Sequence, residues 1–140
     1  MRPSLSTRLA VSATAVVALG LAGGVAAATP AQAAASCVLK VDPPLRSPFD
    51  LLPTLVSDTA RIVCSAPVSK LELSVVLYRN GSQVAAATGS NLHLSGISVT
   101  ATGVCIGGVY QARAVGRVTH PGVPAVQVLT GQSAAVPVVC

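Results

Sequence analysis

Cys37, Cys64, Cys105 and Cys140 are the side chains of this 140-residue chain with the clearest chemistry. In an oxidising compartment four cysteines pair into two disulfides; in a reducing one they serve as thiols or metal ligands. A tetrathiolate zinc site needs close Cys-x-x-Cys spacing, and no two of the four lie near each other in sequence. Disulfides are therefore the expectation, with three pairings open at this point.

Other reactive groups are sparse. Nucleophilic catalysis needs a nucleophile, a base and an orienting group. The bases here are His93 and His120, and neither sits in a nucleophile-elbow motif. His93 alternates with Leu92 and Leu94, which reads as a solvent-facing strand residue; His120 precedes Pro121-Gly122 and reads as a turn residue. Paired carboxylates for glycoside hydrolysis would come from Asp42, Asp50 and Asp58, all in or beside one proline-rich stretch, where turn-forming aspartates are the simpler account. A His93–His120 metal site lacks further ligands, and no glycine-rich phosphate loop lies between a strand and a helix. The expectation is a non-enzymatic chain with no cofactor and no metal.

The compartment is written at the amino terminus. Arg2 and Arg8 precede an apolar run from Leu9 to about Val25, and small residues lead to Ala31-Gln32-Ala33. That order matches a secretory signal peptide over residues 1–33, leaving a domain over 34–140, secreted and extracellular. Ala34-Ala35-Ser36-Cys37 resembles a lipobox only faintly, because Ala34 stands where a large aliphatic residue is usual. Lipidating Cys37 would also leave an odd number of thiols. No later apolar stretch is long enough to span a bilayer, so no membrane contact is expected after leader cleavage.

Without Arg2 and Arg8, seven of the nine basic residues stand against four acidic ones, a net charge of +3. The basic residues are scattered, and the chain has one Phe, two Tyr and no Trp, so the basic stripe with stacking aromatics of a nucleic-acid binder is missing. A mild positive charge suits solubility or weak attraction to anionic cell-wall polymers.

The reactive residues must be positioned by strands. Leu71, Leu73, Val75 and Leu77 alternate with Glu72, Ser74, Val76 and Tyr78, the period of two of a half-buried strand. Asn80-Gly81 follows and predicts a tight hairpin with a return strand from Ser82 to Ala87. Val109 to Val118 places Tyr110, Ala112, Ala114, Gly116 and Val118 on one face, and Gln111, Arg113, Val115 and Arg117 on the other. The small residues imply close approach of a neighbouring sheet or large side chain, and the Tyr110 hydroxyl needs a partner if buried. Weaker strands are expected at Cys37 to Val41, Thr59 to Cys64, Leu92 to Thr100 and Ala134 to Cys140, the last an edge because of Pro137. Turns are expected at Gly89-Ser90-Asn91, Gly107-Gly108 and His120-Pro121-Gly122. No helical period stands out. The fold class predicted is all-β: a small antiparallel immunoglobulin-like β-sandwich with two disulfides, behind a signal peptide.

Strand order then separates the cysteine pairings. Cys37 begins one strand and Cys64 ends the next, so antiparallel pairing brings them together; Cys105 precedes the Tyr110 strand and Cys140 ends the last. Cys37–Cys64 and Cys105–Cys140 follow. A Cys64–Cys105 bridge between sheets would place the second cysteine two residues after the corner tyrosine, whereas Tyr110 comes five residues after Cys105.

Two loops are expected, Asp42 to Val56 and Thr119 to Gln132. The first is stiffened by Pro43, Pro44, Pro48 and Pro53, and Arg46, Phe49, Leu51 and Leu52 are its candidate interaction residues. The simpler account folds Phe49, Leu51 and Leu55 over an open end of the sandwich. The Gln111, Arg113, Arg117 face is an alternative contact surface, with a solvated sheet face as its plain explanation.

The Cys64 strand, the Arg79-Asn80-Gly81 hairpin, Cys105 leading through Gly108 into Tyr110-Gln111-Ala112, Pro121-Gly122 and the terminal Cys140 carry a family likeness. On these residues the chain resembles a broad set of small secreted actinobacterial proteins of unknown function. The likeness covers most of the mature chain. It implies a secreted β-sandwich and supplies no activity. The functional expectation is an extracellular binding domain, monomeric, with an extracellular protein or a cell-wall polymer as partner. The alternatives are an inhibitor of a secreted hydrolase acting through the 42–56 loop, a structural protein of the cell envelope, and a degenerate enzyme.

Overall fold

Alternating side chains decide the architecture. The computed structural model describes residues 34–48 and 53–140; the proposed leader, residues 1–33, lies outside them. The described residues form nine strands: β1 (Cys37–Val41), β2 (Leu45–Arg46), β3 (Leu55–Cys64), β4 (Lys70–Arg79), β5 (Ser82–Leu92), β6 (Gly96–Val104), β7 (Gly108–Thr119), β8 (Val126–Gln132) and β9 (Val136–Val138). No helix among them is long and apolar enough to cross a membrane.

All pairings are antiparallel, and the strands make two sheets. In the first, β3 is central, with β6 along one side and β1 then β2 along the other. In the second, the order is β5-β4-β7, with β8 then β9 along the outer side of β7. The sheets pack face to face around one apolar core. Leu71, Leu73, Val75 and Leu77 of β4 all point into it, as their spacing predicts. Val56, Ala60 and Ile62 enter from β3, and Ile97, Val99 and Ala101 from β6.

Small residues on one sheet receive large ones from the other. A Cβ at Gly116 would lie 2.5 Å from Cδ1 of Ile62, so the two sheets approach there by the width of a methyl group. Gly89 belongs to this pattern and not to a turn, since a Cβ there would lie 2.9 Å from Cγ2 of Val99. The expected turn at Gly89-Ser90-Asn91 is therefore interior to β5, which runs on to Leu92.

The Asn80-Gly81 hairpin forms as expected, with φ of 48° and 82° at the two residues. The Asn80 side chain adds a tie the turn type does not require: its Oδ1 accepts from the Val109 amide at 2.9 Å. Tyr78 pairs with Gln83 and Leu77 with Ala85, leaving Val84 as a bulge.

Four expectations are corrected. The strand expected from Leu92 to Thr100 is two strand ends around a turn: His93 takes φ 56°, and β6 starts only at Gly96. The apparent alternation of Leu92, His93 and Leu94 crosses that turn, and His93 is exposed on it. Thr119 to Gln132 is not one loop, because β8 pairs with Arg113 to Thr119. The strand expected from Ala134 to Cys140 shrinks to Val136–Val138. Ser133 divides β8 from β9: its amide donates to the Ala112 carbonyl at 2.9 Å, and its Oγ accepts from the Ala112 amide at 2.9 Å. Finally, much of Asp42 to Val56 is not loop. Leu45 and Arg46 pair with Ser57 and Val56, Pro44 is fully buried, and β3 begins at Leu55.

Cys37 is bonded to Cys64 and Cys105 to Cys140. Cys37 and Cys64 are direct partners in the β1–β3 register. The second bridge holds the carboxyl terminus beside the segment joining β6 to β7.

Candidate functional site

The outward faces of β4 and β7 lie side by side, and their residues form rows across the second sheet. Ser90, Glu72, Arg117 and Val128 make one row; Thr88, Ser74, Val115 and Thr130 make the next; Ala86, Val76, Arg113 and Gln132 make a third. The middle row is short, and its neighbours carry the longer Glu72, Arg117, Arg113 and Gln132. A trough therefore crosses four strands, about 14 Å long at 4.8 Å per strand spacing. Part of it is an open groove of about 680 Å³ whose lining includes Glu72, Ser74, Thr88, Ser90, Val115, Arg117 and Val128. A second depression of about 430 Å³ continues along Arg113, Thr130 and Gln132.

The charge on this face is positive. Arg113 lies over the Tyr78 ring, with its guanidinium carbon 5.1 Å from the centroid, a cation–π arrangement that holds the fork in place. Glu72 is already engaged by Lys70, whose Nζ donates to its Oε1 at 2.9 Å. Neither Arg113 nor Arg117 forms an ion pair with a described carboxylate. Their planar donors are thus available to an anion from solution.

The residues singled out in sequence are dispersed. Arg46 is exposed on β2 and has a partner of its own, while Phe49, Leu51 and Leu52 lie outside the described residues. Leu55 does not fold over the end of the core but stands exposed opposite Val104. His120 is buried, against the expectation of a solvated turn residue; its Nε2 lies 2.9 Å from Gln127 Oε1 and its Nδ1 has no partner. Gln127 comes from β8, which pairs with the end of β7 next to His120. Among the described residues no group of three or more His, Cys, Asp or Glu is placed to hold a metal ion.

Asp58 departs most from its expected role. It is no turn residue: it lies inside β3, 2% exposed, between Val56 and Ala60 on the core face. Neither carboxyl oxygen has a hydrogen-bond partner. The edge beside it is the break between β1 and β2, where Pro43 and Pro44 supply no N–H. Burial, followed by the nearby charge of Asp42, pushes its carboxyl up to about 7. Asp42 itself is engaged by the Arg61 guanidinium. Extending the period of two back from Cys64, Ile62 and Ala60 leads to Asp58, so the signal was present but hidden by the prolines nearby.

Sequence reasoning found Arg113 and Arg117 but not the trough. The alternation in β4 names Glu72 and Ser74; Thr88, Ser90 and Thr130 escape it, because the spacing predicts a return strand ending at Ala87 and a loop from Thr119 to Gln132. No protein-family model matches the chain, and no curated protein matches it in sequence.

Proposed function

We propose that this chain is an extracellular, non-enzymatic binding domain whose contact surface is the outer face of the β5-β4-β7-β8 sheet. The single observation that carries this is the trough itself: two depressions that meet at Val115, one lined by Ser74, Thr88, Glu72 and Arg117 and the other by Thr130, Gln132 and Arg113, in which neither arginine pairs with a described carboxylate. A ligand site is a concave surface with a few convergent polar groups.

The fold reading that accompanies it is immunoglobulin-like. The sheet memberships, β1/β2-β3-β6 against β5-β4-β7-β8/β9, suit that architecture. So does Tyr110, near the start of β7, whose hydroxyl bonds back to the backbone of Ile106 in the manner of a tyrosine corner. The leader over residues 1–33 and the likeness to small secreted actinobacterial proteins belong to the same reading, and two disulfides are consistent with an oxidising compartment. The hydrolase-inhibitor alternative loses ground, because β2 and buried Pro44 take the first part of the 42–56 segment into the fold.

The test is affinity capture from culture supernatant and cell envelope with the oxidised domain, using two variants. Ser74→Trp fills the trough, and Ser98→Trp adds the same bulk to the exposed face of the other sheet. A saturable partner retained by wild type and Ser98→Trp and lost by Ser74→Trp is the expected result. Partners indifferent to Ser74→Trp would falsify the placement of the surface. Substrate turnover abolished by His93→Ala or His120→Ala would replace binding with catalysis.

A further inference from the structure

We infer that the trough takes a linear acidic polysaccharide, its carboxylates received by Arg113 and Arg117 on opposite walls. This rests on the sheet-face reading above and adds the class of ligand.

Charge selects an anion. The two guanidiniums stand four residues apart on β7, with Val115 between them, so their Cα atoms are separated by about 13 Å. A chain lying in the trough passes between them, with one arginine on each side. A linear polymer that presents successive carboxylates to alternate sides meets both at once. Arg117 makes no ion pair with a described carboxylate, its cross-strand neighbour Glu72 being engaged by Lys70, and Arg113 lines the second depression beside Val115 and Thr130.

The floor selects a glycan over a peptide. β4 and β7 are interior strands, each paired on both sides, so the floor offers no spare backbone N–H or C=O to an extended peptide. What it offers is side-chain hydroxyl from Ser74, Thr88 and Thr130, together with the Glu72 carboxylate. Those groups donate to and accept from sugar hydroxyls. Glu72 also selects against dense charge: a polyphosphate would set anions directly against it, whereas a sugar hydroxyl can donate to it. One carboxylate per sugar, with hydroxyls between, fits two arginines separated by a hydroxyl-bearing floor.

The experiment uses the intact oxidised protein and polygalacturonate as probe, with dextran, poly-glutamate and polyphosphate in parallel, read by titration calorimetry at two salt concentrations. Polygalacturonate is expected to bind saturably and more weakly at higher salt. Arg117→Ala and Arg113→Ala should each weaken it roughly tenfold or more, the loss of a charge-assisted contact. Arg61→Ala, on the other sheet, should leave it unchanged. Equal binding of dextran, tighter binding of poly-glutamate or polyphosphate, or indifference to both arginine variants would overturn the inference. If polygalacturonate fails while a different ligand is captured and lost on Ser74→Trp, the ligand class is wrong and the sheet-face reading stands. If no ligand of any class responds to Ser74→Trp, both are wrong.

Discussion

The Tyr110 hydroxyl holds the backbone of Ile106 at both of its polar groups, donating to the carbonyl at 2.7 Å and accepting from the amide at 3.0 Å. Tyr110 is itself fully buried, so its ring belongs to the core while its oxygen fixes the chain entering β7. Ile106 follows Cys105 directly, so the tyrosine fixes the chain next to one end of the Cys105–Cys140 bridge. Tyr110→Phe keeps the ring and removes both bonds. A loss of about 1 to 2 kcal/mol is expected in urea unfolding, with m unchanged. A variant as stable as wild type would show that the hydroxyl has no such role.

Gly116 and Ile62 form the tightest approach between the sheets. Gly116→Ala places a methyl group against Cδ1 of Ile62, and the side chain is fully buried with little room to turn. Overpacking of this kind costs about 1 to 3 kcal/mol. Ile62→Val removes Cδ1 and should relieve the clash, so the double variant should be more stable than the sum of the two single losses by at least ~0.5 kcal/mol. Simple additivity in thermal or chemical unfolding would mean the sheets separate freely at this point.

Asp58 makes stability depend on pH in the direction opposite to an ion-paired carboxylate. Its folded pKa is about 7, raised from 3.8. Below 3.8 both states are protonated and there is no penalty. Between these values the unfolded chain releases a proton that the folded chain keeps, so stability falls as pH rises; above about 7 the full penalty is present. The penalty is on the order of 4 kcal/mol at its largest, from the size of the shift. Asp58→Asn imitates the protonated form. It should match wild type near pH 4, exceed it at pH 8 and flatten the profile between. Unfolding midpoints that rise from pH 5 to 8 in wild type would contradict this assignment.

The two bridges close separations of 27 and 35 residues. Chain entropy gives each about 3 to 4 kcal/mol. Their structural effects should differ. Cys37→Ser with Cys64→Ser removes a link between strands already paired over five residues. Cys105→Ser with Cys140→Ser frees a terminus held otherwise by the three pairs of β9. Hydrogen exchange should therefore show lost protection at Val136 and Val138 in the second variant alone, while both lower the unfolding midpoint.

Local spacing determined much of this protein. The face of β4, the Asn80-Gly81 turn and the inward row of β7 follow from period two and from turn chemistry, which act between neighbours in the chain, and the two bridges follow from which strand ends antiparallel pairing brings together. Tertiary structure decided what depends on distant partners. Gly89 reads as a turn residue until Val99 is found against it, and β8 reads as loop because Val126, Val128 and Leu129 put apolar groups on both sides of an edge strand that β7 alone pairs. Asp58 looks like a loop residue until the β1–β2 break is seen to lie beside it. The trough is the fullest case: its three rows draw side chains from four strands, and register between strands is set by packing across the whole sheet. Alternation along one strand names the residues that face outward. Spacing along β7 already puts Arg113 and Arg117 on either side of Val115; only the pairing of strands brings Ser74, Thr88 and Thr130 into the row beside Val115.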